Sequence, residues 1–196
     1  MRAIAAGIGV VLGVCAAGMQ AEAFSVSYDQ KTTQGRQVTT GTVSMKDEMF
    51  RMETTMNGQM AVTIHNASGT YTYMPTEGMA MKMPELNPSQ QPVGHADNYQ
   101  AYLQERHAER IGTETVDGHA CEVYRFPDPA SQGTVTAWVW TEKQFPIKLE
   151  YDGAQGKMLV EIQNIELGAN IPETAFELPA GVQVMDMGNM MSLGQQ

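Results

Sequence analysis

Residues 78–83 read GMAMKM, so Met79, Met81 and Met83 occupy alternate positions immediately before Pro84. In a strand, alternate side chains emerge on one face, so this stretch presents three thioethers together. Thioether sulfur is soft, polarizable and carried on an unbranched chain. It can ligate Cu(I), or it can re-pack around apolar ligands of varied shape in a way that stiff Val or Ile cannot. The chain has 16 Met against 5 Phe and 2 Trp. Met185, Met187, Met190 and Met191 form a second group near the C-terminus. The plain alternative to both chemistries is that methionine fills an irregular core.

Other side-chain sets point to less. His65, His95, His107 and His119 are dispersed over what read as a strand, a loop, a helix and a turn. The sequence has no G-x-S-x-G, no H-E-x-x-H and no zinc-type cysteine spacing. Glu105 and Glu109 are interleaved with Arg106 and Arg110, which reads as a solvated ion-pair face on a helix. Without an assembled set of catalytic groups the expectation is a protein that is not an enzyme, needs no cofactor and has no catalytic residues. Cys121, between Ala120 and Val123, reads as a buried structural thiol.

The elements that must position the methionines come from period-two patterning. Phe24, Val26 and Tyr28 alternate, as do Met60, Val62 and Ile64, then Tyr71 and Tyr73. Phe50, Met52 and Met56 share one phase. Turn signals at Gln34-Gly35, Lys46-Asp47, Asn57-Gly58 and Ser68-Gly69 separate these runs into a β-meander. Residues 84–96, with three prolines, read as a loop. Tyr99, Tyr102 and Leu103 then recur at helical spacing through DNYQAYLQERHAER, with Asp97 as the expected cap. A second strand series begins near Ile111, and in TVTAWVWT both faces carry large apolar groups. IPETAFELPAGV reads as a helical turn and a return, and the final MDMGNMMSLGQQ as a frayed tail. The fold class expected is mainly β: an incomplete antiparallel β-barrel, or curved sheet, with one covering α-helix and a short C-terminal helical turn.

MRAIAAGIGVVLGVCAAGMQAEA has one Arg, an apolar run and Ala21-Glu22-Ala23, the pattern of an export signal cleaved after Ala23. Cys15 follows Leu12-Gly13-Val14, a lipobox-like run with Val14 where a small residue belongs, so lipid attachment is not predicted. The expected division is 1–23 signal peptide, 24–182 a single β domain and 183–196 a Met-rich flexible tail, in a periplasmic protein. A formal net charge of −10 without a basic cluster disfavours nucleic acid and anionic membrane surfaces as partners.

GTVSMKDEMFRMET, GTYTYMP, GTETVDGHACEVYRF and IPETAFELPAGV, in this order, resemble the LolA/LolB-like lipoprotein-carrier superfamily, most closely its uncharacterised exported relatives. The resemblance implies a half-barrel whose apolar concavity, closed by helices, shelters acyl chains. It also implies an arginine that bonds to the lid; Arg51 lies in the comparable region, without an assigned role. The expected groove is lined by Phe50, Met52, Met60, Ile64, Tyr73, Met81, Trp138 and Leu149. Its partners would be lipid or lipoprotein acyl chains, with an envelope membrane protein delivering or receiving them. Two alternatives accompany this reading: copper binding or buffering by the Met-rich segments, and an envelope protein acting through protein–protein contacts.

Overall fold

The computed structural model describes residues 24–56, 58–83, 98–128, 132–154 and 156–186. The expected signal peptide with Cys15, the proline-rich loop with the expected cap Asp97, and residues 187–196 of the expected tail lie outside the described residues.

The first meander comprises β1 (Ser25–Gln34), β2 (Gln37–Lys46), β3 (Met49–Met56), β4 (Gln59–Asn66), β5 (Gly69–Met74) and β6 (Met79–Met83). After the helix α1 (Tyr99–Glu105) come β7 (Glu109–Val116), β8 (His119–Asp128), β9 (Gly133–Trp140), β10 (Phe145–Gly153) and β11 (Gly156–Leu167). A 3-10 turn, Glu173–Phe176, precedes β12 (Gln183–Asp186). All twelve strands join one sheet in the order β12-β6-β5-β4-β3-β2-β1-β11-β10-β9-β8-β7, curved but not closed into a barrel. Pairing is antiparallel except for β12, which runs parallel to β6.

Curvature follows from what packs together. Val26, Tyr28, Met45, Phe126, Val135, Ala137, Leu149, Val160 and Ile162, from six neighbouring strands, share one core with Tyr99, Tyr102 and Leu103 of the helix. Six flat strands would span roughly 24 Å, whereas a seven-residue helix is about 10 Å long, so the sheet must curl around it to reach it. Tyr102 meets Phe126 edge-on with ring centroids 5.7 Å apart, and Tyr28 meets Phe145 likewise at 5.8 Å.

The helix is shorter than its periodicity suggested. Asn98, not Asp97, caps it, with its side chain accepting from the Ala101 N–H at 3.2 Å. It stops where His107 adopts a left-handed backbone (φ 52°) and the Ala108 N–H bonds back to the Leu103 carbonyl. Glu109 and Arg110 therefore belong to β7, and Arg110 pairs with Glu122 on β8 rather than within a helical ion-pair face. At the other end, the expected frayed tail begins as structure: Gln183–Asp186 form β12. The chain reaches that edge from β11 by crossing the sheet on the face opposite the helix.

Candidate functional site

Cross-strand register assigns every side chain to one of two faces. One row on the helix side runs Tyr28, Val43, Met52, Thr63, Thr72, Met81 and Met185 across β1 to β6 and β12. The adjacent row runs Val26, Met45, Phe50, His65, Thr70 and Met83. On the opposite face the corresponding rows are Ser44, Arg51, Ile64, Tyr71, Lys82, Asp186 and Thr42, Glu53, Val62, Tyr73, Ala80, Val184.

The helix side divides into two halves. Over β8 to β11, β1 and β2 it is filled: Leu149 and Ala137 are wholly buried beneath the helix-side core. Over β3 to β6 and β12 it carries Phe50, Met52, Met74, Met79, Met81, Met83 and Met185, half-buried to exposed, alternating with Thr54, Thr63 and Thr72. Met185 is 38% exposed. The rows here contain no Asp, Glu, Lys or Arg among the described residues, in a chain that has 22 acidic and 12 basic side chains. His65 is the one titratable group in them, with its Nδ1 2.8 Å from the Thr70 hydroxyl. Such a surface is neutral, apolar and deformable, and offers methyl, thioether and hydroxyl contacts without a charge to desolvate.

The eight residues expected to line a groove therefore separate. Phe50, Met52 and Met81 lie together on the uncharged half, and Leu149 lies on the same side but within the filled core. Met60, Ile64, Tyr73 and Trp138 lie on the opposite face. Ile64 is wholly buried there with Val62 and Ala80, under the C-terminal segment, whose Phe176 is 1% exposed. Met74, Met79, Met83 and Met185 join the uncharged half without having been in the expected lining. The phase that Met79 and Met83 share with Met81 was the sequence signal for two of them.

On the opposite face, charged and polar side chains pin the C-terminal segment. Arg51 gives Nε and Nη2 to the Glu53 carboxylate at 2.9 and 2.7 Å and Nη1 to the Ala175 carbonyl at 3.0 Å. The Asn66 amide donates to the Phe176 carbonyl at 2.7 Å. Trp138 forms the floor of a cleft of about 420 Å3 bounded by Ile111, Glu114, Arg125 and Glu150. Its indole N–H donates to Glu114 at 2.7 Å and the Lys148 ammonium lies 4.1 Å from its ring centroid. Among the described residues no group of three or more His, Cys, Asp and Glu could hold a metal ion. Burial pushes the Cys121 thiol pKa up, the direction of an unreactive thiol.

No family model matches the sequence. No curated protein matches it either. Solved structures do match. An uncharacterized conserved protein from Thermus thermophilus superposes with a TM-score of 0.59 at 10% identity, over 83% of this chain and 90% of that one. A chain of the Pseudomonas aeruginosa MucA/MucB complex gives 0.53 at 14% identity over 83% of this chain, which spans 58% of that chain. A LolA superfamily protein from Nitrosomonas europaea is matched over 80% of this chain and 90% of that one, at 16% identity and a TM-score of 0.37. At these identities the likeness is one of fold alone.

Proposed function

We propose that the protein is a non-enzymatic binding protein of the bacterial periplasm that accommodates acyl chains of lipid or lipidated protein on the uncharged half of its helix-side face. The observation that carries this reading is that, among the described residues, that half holds six methionines and Phe50 and no charged side chain, and those residues leave it incompletely covered. The filled half leaves no room, so cargo would lie along β3 to β6 and not beneath α1. Covering ~300 Å2 of acyl surface at about 25 cal/mol per Å2 would yield roughly 7 kcal/mol gross, from which the cost of association is subtracted. The export-type N-terminal pattern and the sequence resemblance to LolA/LolB-like carriers support the same compartment and cargo. Native mass spectrometry of protein isolated from its own periplasm without detergent tests it: adducts of acyl mass are expected, and a bare mass with no uptake of added fatty acid would overturn it.

A second reading, contact with another envelope protein, is favoured by β7. This outermost strand is exposed along most of its length, Ile111 to 42%, and its outer edge has no strand beside it among the described residues. Such an edge is a template for an added strand. The MucA/MucB complex shows that a protein containing a chain of similar fold is captured with a protein partner. Replacing Ile111 with Lys would then abolish a cross-linked partner while leaving acyl uptake intact.

A further inference from the structure

The parallel pairing of β12 with β6 sets Met185 opposite Met81 and Gln183 opposite Met79. Met79, Met81 and Met83 alternate on the same face, so Met81 has a thioether beside it on the next strand and one on each side along its own. Neighbouring strands are about 4.8 Å apart and next-but-one side chains roughly 6.7 Å apart. Three rotatable bonds let each methionine sulfur swing through distances of that order. We infer that Met81, Met185 and one of Met79 or Met83 converge on a single soft monovalent metal ion, Cu(I).

The donor set selects the metal. Thioethers are neutral and soft, which suits Cu(I) and disfavours Zn(II), Ca(II) and Mg(II), all of which seek imidazole, thiolate or carboxylate. Among the described residues no carboxylate shares this half of the face: Asp186 and Lys82 sit opposite each other on the reverse side. His65 is two strands from Met83 and engaged with Thr70, so it does not supply an imidazole. Packing alone does not account for the arrangement, because Met185 is 38% exposed and none of these four methionines belongs to the helix-side core. The site sits at the outer margin of the uncharged half and does not depend on acyl binding.

The test is an anaerobic titration of the full chain with Cu(I) against a competing chromophoric chelator, in a background with Cys15 and Cys121 both replaced by Ala. About one Cu(I) per chain is expected. The Met81→Leu, Met185→Leu pair should weaken binding by roughly tenfold or more, since even outer-shell changes at metal sites cost 10–100-fold. Changing Met187, Met190 and Met191 to Leu should leave it unchanged, and Zn(II) should not compete. A parent curve equal to that of chelator alone, a Leu pair that binds like the parent, or loss confined to the three-residue tail variant would each overturn the site. Fatty-acid uptake by the unsubstituted chain, measured without copper, reports separately on the proposed function. Thermal melts of the variants confirm that they fold.

Discussion

Arg51 on β3 donates a hydrogen bond to the carbonyl of Ala175, 124 residues away in the chain, across 3.0 Å. Asn66 on β4 does the same for the next carbonyl, that of Phe176. Two strands of the first meander thus hold the C-terminal turn over Val62, Ile64 and Tyr71, and with it the approach to β12. Each bond is made by a partly buried donor, so Arg51→Ala and Asn66→Ala should each cost about 1–2 kcal/mol. The loss should be local before it is global. Hydrogen exchange should rise first in residues 169–186, and the reverse order, with α1 loosening first, would show that the turn is held by something else.

The filled and unfilled halves of the helix-side face predict opposite sensitivities. Leu149 is wholly buried among packed neighbours, so Leu149→Ala should lose about 2–5 kcal/mol. Met81 is half-buried and outside that core, so Met81→Ala should lose less than about 1.5 kcal/mol. Denaturant midpoints of the two variants measure this directly. Equal losses would mean that the methionine half is packed as tightly as the rest.

Alkaline titration tests the aromatic core. Burial raises the pKa of Tyr28, Tyr99 and Tyr151 above the ordinary phenol value, because the phenolate would have to form away from water. Above about pH 10 the unfolded chain releases these protons while the folded chain retains them, so stability is whole below that pH and falls as pH rises. Phenolate absorbance should therefore appear together with loss of circular dichroism. The Tyr99 hydroxyl is also buried without a hydrogen-bond partner among the described residues. Tyr99→Phe should accordingly be neutral or stabilising by up to about 1 kcal/mol, and should shift the alkaline transition upward.

Much of this fold was legible in the sequence because period-two patterning is local. Alternation of Phe24, Val26 and Tyr28, or of Tyr71 and Tyr73, marks strands whatever they pair with, and glycine- or Asp-containing turns set their limits. The assignment of faces is not local. Phe50 and Ile64 each lead an apolar phase in their own strands, yet the register places Arg51 opposite Ile64 and sends the two apolar phases to different sides. The C-terminal segment, remote in sequence, is what buries Ile64. Trp138 was ambiguous for the same reason: its strand is apolar and buried on both sides, with Val135, Ala137 and Val139 toward the helix and Trp138 turned to Lys148 and Glu114. The end of the helix at Glu105 turned on a left-handed His107, for which the polar run ERHAER offers no signal. β12 was missed because four residues are too few to show a period of their own and find their place only through the edge of β6.

The central claim is that cargo binds the uncharged half of the helix-side face. Saturable uptake of a fluorescent fatty acid by the parent, Met81→Asp and Met60→Asp compares that half with the opposite face, where Met60 is 42% exposed. A carboxylate at position 81 would have to be desolvated against the acyl chain, at a cost of several kcal/mol, so uptake should be lost there and preserved at position 60. No uptake by the parent, or equal uptake by both Asp variants, would contradict the account.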